Sequence, residues 1–162
     1  MRMILRYIGI SKPMVSLKTD IGSISLERPG IVASGIMDET GPSMVRMLRS
    51  GAGAVVTKSV GLEPNAGHAN PCFTEVRGGY VNAMGLPNPG IELFKEEMDV
   101  AVPEGKIVGS IYGAGPDDFS TLAGRMEDYG ACAVELNLSC PHAKGYGMEV
   151  GTDPAMVKAI VS

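Results

Sequence analysis

The sequence has little of what membrane and secreted proteins need. No window comes near the ~20 consecutive apolar residues of a membrane-spanning helix. The N-terminal stretch MRMILRYIGISKPMV has two arginines, but neither a long apolar run nor a cleavage site of small residues, so it is a poor signal peptide. We therefore predict a cytoplasmic protein that does not enter a membrane.

Cysteine is also scarce. The three cysteines, Cys72, Cys132 and Cys140, form no CxxC pair, so the sequence supports neither a disulfide scaffold nor a zinc site. We expect reduced thiols and no metal centre. Cys132 lies between small apolar residues and is interpreted as a buried, inert thiol.

Positive charge is too sparse to suggest a nucleic-acid-binding protein. The net charge is −4, and the 14 lysines and arginines are scattered along the chain, so no basic surface is predicted. With 44% hydrophobic and 20% charged residues, the 162-residue chain has an ordinary globular composition and is long enough for one domain with a core. The 22 glycines and 11 prolines fall at turns between apolar runs, which is typical of an α/β protein with elaborate loops.

Strands and helices are predicted to alternate along the chain. Alternating polar and apolar residues predict a hairpin with strands at Val15–Asp20 and Ser23–Leu26 around an Ile21–Gly22 turn. The later strands are predicted at Ile31–Ser34, Gly53–Lys58, Lys106–Tyr112 and Ala131–Asn137, and the helices at Pro42–Arg49, Ile91–Ala101, Pro116–Tyr129 and from Pro154 onward, capped by Thr152 or Asp153. Residues 59–90 form a long loop with short strands at Phe73–Val76 and Gly79–Asn82, and residues 138–151 form a glycine-rich loop.

This alternation predicts a parallel sheet of the TIM (β/α)8 barrel family, preceded by the hairpin. Polar motifs follow each of the four parallel strands, and the carboxyl ends of the strands are where such barrels build their active sites. A complete barrel needs eight strand–helix units and ~250 residues, so we predict about the first four units. In domain terms, residues 1–13 are predicted to be an N-terminal extension and residues 14–162 an incomplete barrel domain.

The most informative motif is NLSCPH, residues 137–142, at the end of the fourth strand. Pro141 restricts Cys140 to extended backbone conformations. Most free cysteines are buried and inert, but the polar neighbours of Cys140 favour a functional thiol. A thiol has an ordinary pKa of ~8.5 and can serve as a proton acceptor near neutral pH if the site lowers that value modestly, so we predict that Cys140 is a catalytic base.

Three other motifs suggest a site for a flat, polar ligand. TKSV, residues 57–60, ends a buried strand with Lys58. The charge of a buried lysine is costly to desolvate unless it meets an anion or an electron-rich ring. The alternative is a lysine whose side chain extends to the surface. ASG, residues 33–35, is small enough for a flat cofactor to approach the backbone. NAMGLPNPG, residues 82–90, prescribes a tightly defined loop with exposed amides that can bind a planar ring carrying carbonyls and a carboxylate.

Taken in order, these segments resemble the class 1 dihydroorotate dehydrogenases. ASG, TKS, NAMGLPNPG and ELNLSCP recur in that family in this order, followed by the spacing of Gly147, Gly151, Asp153 and Pro154. The resemblance extends from about Leu17 to the last residue. It implies a TIM barrel that binds FMN and oxidises dihydroorotate to orotate in pyrimidine (UMP) biosynthesis, with a proton leaving C5 and hydride passing from C6 to the flavin.

The resemblance also implies the roles of individual residues. Cys140 matches the base, where the membrane-associated class has serine. Lys58 and Asn137 each match a residue that contacts both flavin and substrate. The remaining implied positions are Ser34 and Ser59 at the flavin, and Asn82, Ala83, Met84, Gly85 and Leu86 at the substrate.

The branch of the family is indicated by small details. Ala83 and the Asn88–Pro89–Gly90 ending favour the branch that passes electrons to NAD through a separate subunit with FAD and an iron–sulfur centre over the branch that uses fumarate. A homo-oligomer is expected as well.

Several departures keep alternatives open. His142 stands where many relatives have Asn and where dihydropyrimidine dehydrogenases have His, so a pyrimidine reductase of that type is the alternative enzyme. Ser110 replaces an Asn that often contacts flavin. The later barrel strands would supply a second lysine and the glycine loops for the FMN phosphate, so we expect a truncated product that binds FMN poorly alone. A non-catalytic interaction module is the third hypothesis.

Overall fold

The computed structural model of the protein describes the chain in three stretches, residues 15–35, 37–141 and 144–162. The predicted N-terminal extension and His142 lie outside them. Within these stretches no helix combines the length and the apolar character that a membrane span requires.

The first described elements are the strands of an antiparallel hairpin, β1 (Thr19–Ile21) and β2 (Ile24–Leu26). The predicted hairpin is confirmed, but its strands are shorter. Its turn lies one residue later than predicted, at Gly22 and Ser23, because Ile21 pairs with Ile24 and Gly22 takes a positive φ of 58° that favours glycine.

The remaining elements follow the predicted alternation. In chain order the strands are β3 (Ile31–Val32), β4 (Ala54–Val56), β5 (Phe73–Val76), β6 (Gly79–Asn82), β7 (Ile107–Ile111) and β8 (Ala133–Leu136), and the helices are α1 (Gly41–Arg49), α2 (Ile91–Ala101), α3 (Pro116–Asp128), α4 (Met148–Gly151) and α5 (Pro154–Val161). The one-turn helix α4, inside the predicted glycine-rich loop, was not anticipated by the sequence.

Four parallel strands form the main sheet, in the order β3-β4-β7-β8. Each strand lies beside the next parallel strand along the chain, and a helix connects each pair, which is the arrangement of strand–helix units in a (β/α)8 barrel. The described residues form four such units and no closed barrel. The predicted fold class is therefore confirmed.

The helices pack on one face of this sheet. Ile107 and Ile111 of β7 are buried against them, and Gly109 lies between these two residues. A Cβ atom on Gly109 would be 2.7 Å from the Met126 sulfur, so glycine lets α3 lie close to β7. The helices contribute the fully buried side chains of Met44, Phe94, Met98, Leu122 and Met126. Because side chains alternate along a strand, Ser110 projects from the opposite face, which would be the interior of a barrel.

Two helices begin with the capping residues that their sequences supply. Thr40 and Ser43 form a capping box at α1. Asp153 caps α5 by accepting hydrogen bonds from the backbone N–H groups of Ala155 and Met156, which confirms one of the two predicted caps.

The long connection between β4 and α2 contains the second antiparallel hairpin, β5–β6, within the bounds that the sequence predicts. Phe73 and Tyr80 stack on one face of it, with ring centroids 5.2 Å apart. Asn82, opposite Phe73 in the register, projects from the same face. The hairpin thus delivers Asn82 and the loop that follows it to the carboxyl end of the sheet.

Candidate active site at the carboxyl ends of the strands

Polar side chains gather where the parallel strands end. Backbone hydrogen bonds continue beyond the strands: the Val60 N–H donates to the Ser110 carbonyl at 3.0 Å, and the Asn137 N–H donates to the Ile111 carbonyl at 2.8 Å. The sheet therefore fixes the backbone from which these side chains project. They are Ser34 after β3, Lys58 and Ser59 after β4, and Asn137 after β8.

A chain of hydroxyl groups connects the strand ends. The Ser110 hydroxyl donates to Glu135 Oε1 at 2.9 Å and lies 2.9 Å from the Ser59 hydroxyl. Because the Ser110 proton goes to Glu135, Ser59 donates to Ser110. Ser59 Oγ then accepts from Asn137 Nδ2 at 2.8 Å and lies 3.4 Å from Ser34 Oγ. Ser110, for which the sequence left a flavin contact in doubt, is fully buried beneath Ser59 and supports it.

Lys58 is held in a closed ring of three hydrogen bonds. Its ammonium group donates to the Gly35 carbonyl at 3.1 Å, and the Gly35 N–H donates to Asp38 Oδ2 at 2.8 Å. The backbone N–H of Lys58 completes the ring by donating to the Asp38 carbonyl at 3.1 Å. Lys58 is only 8% exposed. Gly35 is its one acceptor among the described residues, so N–H donors of Lys58 remain for a ligand.

Asp38 is the residue of this ring that the sequence did not single out. Its side chain is fully buried. Burial raises the pKa of the Asp38 carboxyl above its ordinary value, although the Gly35 N–H, its own backbone N–H and the Lys58 charge act in the opposite direction. Within the described part of the chain, Oδ1 receives no hydrogen bond. An acidic residue shortly before a helix is common at helix N-termini, so the sequence offered no reason to assign Asp38 to the site.

Replacing Asp38 by asparagine is expected to change how stability depends on pH. The carboxyl pKa is higher in the folded state than in the unfolded state, where it is 3.8. The stabilisation from this group is therefore complete below pH 3.8 and is lost as the pH rises through the folded-state pKa. The free energy of unfolding of wild type should therefore fall relative to that of Asp38→Asn as pH rises from 3.8.

Urea unfolding at a series of pH values measures this difference. Glu96→Gln, which removes an exposed carboxylate from α2, should keep the wild-type pH profile. A difference in the free energy of unfolding between wild type and Asp38→Asn that stays constant across the pH series would contradict a raised pKa at Asp38.

The loop over residues 82–90 is fixed to the sheet by Asn88. The Asn88 side chain makes four hydrogen bonds: its Oδ1 accepts from the Gly61 and Gly90 N–H groups, and its Nδ2 donates to the Leu86 carbonyl and to the Tyr112 hydroxyl. Every donor and acceptor of this buried carboxamide is thereby used. The rigidity that the NAMGLPNPG sequence suggests comes from this residue.

The turn of this loop requires two consecutive residues with positive φ. Gly85 has φ 74° and Leu86 has φ 56°. Leucine in this region is unfavourable and is retained only where its surroundings hold it. Asn65 Nδ2 donates to the Gly85 carbonyl at 3.0 Å, and Leu86 is buried. The backbone of this turn therefore presents a defined shape to its surroundings.

Cys140 lies in the segment that follows β8. The Ser139 N–H donates to Asn137 Oδ1 at 3.3 Å, and the Met148 N–H donates to the Cys140 carbonyl at 3.0 Å. Asn137 thus bonds Ser59 through its nitrogen and the Cys140 segment through its oxygen. One carboxamide couples the sheet to the thiol segment.

These elements enclose an open cleft of about 430 Å³. The structure brings all of the predicted site residues except Ala83 to its lining. Among the residues that line it, Lys58 carries the only formal charge, so the cleft favours an anionic ligand. The lining comprises Ser34, Gly35, Lys58, Ser59, Asn82, Met84, Gly85, Leu86, Asn137, Cys140 and Pro141.

Ala83 is the predicted substrate residue that lies elsewhere. It lines a smaller hollow beside the cleft, and its N–H donates to the Cys72 carbonyl at 2.8 Å. Successive residues of an extended segment point in opposite directions, so Asn82 and Met84 reach the cleft while Ala83 does not. The structure therefore places Ala83 outside the lining of the cleft, and its contact with the substrate stays a prediction.

Cys132 provides a contrast to Cys140. It lies just before β8 at the opposite end of that strand, beside Ala123 and Glu127 of α3. Burial raises the pKa of the Cys132 thiol, with the Lys106 charge acting against this. Cys132 is half-buried, less than the sequence predicted. A thiol that resists ionisation is nevertheless a poor nucleophile and base, which supports the interpretation of Cys132 as inert.

Comparison with known proteins agrees with this geometry. The family model described as dihydroorotate dehydrogenase matches residues 16–162. Relatives named dihydroorotate dehydrogenase B (NAD(+)), catalytic subunit, include those of Thermoplasma acidophilum, 47% identical over 92% of this chain, and Methanocaldococcus jannaschii, 50% identical over 85%. That of Pyrococcus furiosus is 48% identical over 91% of the chain.

The chain spans about half the length of these relatives, covering 50%, 46% and 49% of them, respectively. Residues 16–162, which the family model matches, contain the four strand–helix units and every residue of the cleft. With a family model that extends over residues 16–162 and relatives near half identical across most of its length, this chain belongs to the dihydroorotate dehydrogenase family.

Proposed function

We propose that this chain forms the substrate cleft and the flavin-ring site of a class 1, FMN-dependent dihydroorotate dehydrogenase, which oxidises dihydroorotate to orotate in pyrimidine biosynthesis. The observation that carries the proposal is that Cys140, Lys58 and the loop from Asn82 to Leu86 line one cleft. A proton acceptor, a cation and a rigid amide-bearing loop suit a planar, anionic ring that must lose a proton.

The sheet side of the cleft fits a flavin ring. A volume of about 430 Å³ is within the range of cofactor pockets. Ser34, Gly35 and Ser59 are small, so a flat ring can lie close to the strand ends. Lys58 and Asn137 offer N–H donors to ring carbonyls. When bound there, FMN would supply the acceptor for the hydride that leaves C6 of the substrate.

The residues on the outer side of the cleft suit the substrate. Dihydroorotate loses a proton from C5 and a hydride from C6 as the C5–C6 bond becomes double. The thiolate form of Cys140 accepts the C5 proton, and the thiol so formed later releases the proton to water through the open cleft. Lys58 attracts the substrate carboxylate, and the Asn82 carboxamide donates to a ring carbonyl.

The relatives also support a particular electron acceptor. They are named as catalytic subunits of an NAD(+)-type enzyme. We therefore propose a partner subunit that carries FAD and an iron–sulfur centre and delivers the electrons to NAD, in a cytoplasmic homo-oligomeric enzyme.

Anaerobic flavin reduction tests the proposed reaction. The protein is mixed with excess FMN, and dihydroorotate is expected to bleach the flavin absorbance while dihydrouracil, which lacks the carboxylate, is not. Equal bleaching by dihydrouracil would favour a pyrimidine reductase instead. Where quenching of flavin fluorescence shows that FMN is bound, bleaching by neither compound would overturn the enzymatic proposal and favour an interaction module.

A further inference from the structure

Two glycines at the ends of α4 lie against the backbone that carries the thiol. A Cβ atom on Gly147 would be 2.4 Å from the Cys140 carbonyl oxygen and 2.8 Å from Cys140 Cβ. A Cβ atom on Gly151 would be 2.0 Å from the Leu138 carbonyl oxygen. Real Cβ atoms do not approach backbone atoms this closely, so neither position accommodates a side chain without moving the segment from Leu138 to Cys140.

Hydrogen bonds join the same groups. The Met148 N–H donates to the Cys140 carbonyl at 3.0 Å, and the Gly151 N–H donates to the Gly147 carbonyl at 2.8 Å. Gly147 has φ 56° and ψ −116°, a combination that residues with a side chain avoid. Gly147, Met148 and Gly151 therefore form a clamp, here called the α4 clamp, which contacts the backbone of Leu138 and Cys140.

We propose that Gly147 is a positioning residue for Cys140. Because glycine has no side chain, the α4 clamp packs directly against the backbone of Cys140, and this contact sets where the sulfur lies in the cleft. The part of the proposal that concerns catalysis rests on the proposed function, in which Cys140 is the base. The contact itself concerns only this chain and is testable without turnover.

The size of the effect follows from the overlap. Relieving a 2.4 Å contact to an ordinary van der Waals distance moves Cys140 by about an ångström, and a displacement of about 1 Å costs a positioned catalytic group on the order of 100-fold in rate. Displacement of the segment from the clamp is also expected to expose more of the Cys140 thiol, which is half-buried in the structure.

Site-resolved alkylation measures the position of the thiol. The folded chain is treated with iodoacetamide, and the rates at Cys140 and Cys132 are read separately by mass spectrometry. Gly147→Ala should raise the ratio of the Cys140 rate to the Cys132 rate by about threefold or more, because local opening acts on Cys140 alone. General loosening of the fold would raise both rates and leave the ratio unchanged.

Gly145→Ala is the matched control. Gly145 lies in the same loop and also has a positive φ, of 80°, but a Cβ atom there meets no atom within 4 Å. Gly145→Ala therefore also places alanine at a positive φ but makes no contact with Cys140, and the ratio should stay at the wild-type value. Equal changes in the two variants would overturn the proposal.

Met148→Pro tests the clamp if Gly147→Ala does not fold. Proline is compatible with the backbone at the first position of a helix, and the Met148 side chain is half exposed. The change replaces the N–H that reaches the Cys140 carbonyl by a ring carbon, which displaces that carbonyl, and it adds no atom at Gly147. The Cys140 to Cys132 ratio should again rise. A ratio that stays at the wild-type value would show that the clamp does not position Cys140, whatever the flavin assay finds.

Discussion

Replacing Cys140 by alanine is expected to slow the reduction of FMN by dihydroorotate about 10²- to 10⁴-fold, the usual contribution of a positioned base. Alanine removes the only atom of this side chain that can accept the C5 proton. The half-buried Cys140 sulfur takes no part in the hydrogen bond from the Ser139 N–H to Asn137 Oδ1, which holds this segment. Orotate should therefore still bind with nearly its wild-type affinity. Stopped-flow bleaching of the flavin gives the rate, and orotate titration gives the affinity.

Cys132→Ala is the control for this experiment. It removes the same atom from the far end of β8, away from the cleft. Flavin reduction should proceed at the wild-type rate. If the two cysteine variants slow the reaction equally, or if Cys140→Ala leaves the rate unchanged, Cys140 is not the base.

Replacing Lys58 by methionine is expected to weaken orotate binding by about 10- to 100-fold, since a hydrogen bond to a charged group contributes on the order of 1.5–3 kcal/mol. Methionine keeps the length of the apolar stem and removes the charge. The salt dependence of orotate affinity should decrease as well, because the attraction between the ligand carboxylate and the ammonium group is lost. Isothermal titration calorimetry at two salt concentrations measures both quantities.

Lys58→Met is also expected to lower the free energy of unfolding, by about 1–3 kcal/mol, because the Gly35 carbonyl loses its donor and the buried Asp38 loses the charge that favours its ionised form. Lys106→Met, which removes an exposed lysine beside Gly105 at the amino end of β7, is the control and should bind orotate like wild type. An orotate affinity that is the same in Lys58→Met and wild type would contradict the role of Lys58.

The elements that the sequence predicted best are those with local signals. The bounds of α2 and of the strands β5 and β6 match the prediction, because Gly90 and the turn between the strands mark their ends. The parallel strands are shorter than predicted. The backbone N–H of Lys58, for example, bonds to the Asp38 carbonyl instead of a neighbouring strand, and such a contact between distant residues leaves no periodic pattern.

The same distinction applies to the site. Contiguous motifs indicated Cys140, Lys58 and the 82–90 loop, since each motif carries its own polar residues. Asp38 and the pair of Ser110 and Glu135 were missed as supporting residues because their roles depend on burial and on contacts between distant residues, Asp38 with Lys58 and Ser110 with Glu135. The helix α4 was missed because it is one turn long and packs against the backbone of Cys140, a contact that leaves no signal in the composition.

The two walls of the cleft have separate origins. One wall stands on the parallel sheet and is tied together by Ser59, Ser110 and Asn137, while the other is the loop that the β5–β6 hairpin delivers and Asn88 anchors. Substitutions in the hairpin wall can therefore alter which ring is accepted without disturbing the groups beneath it. If the proposed function holds, substrate preference and redox chemistry are thereby open to independent selection within one chain.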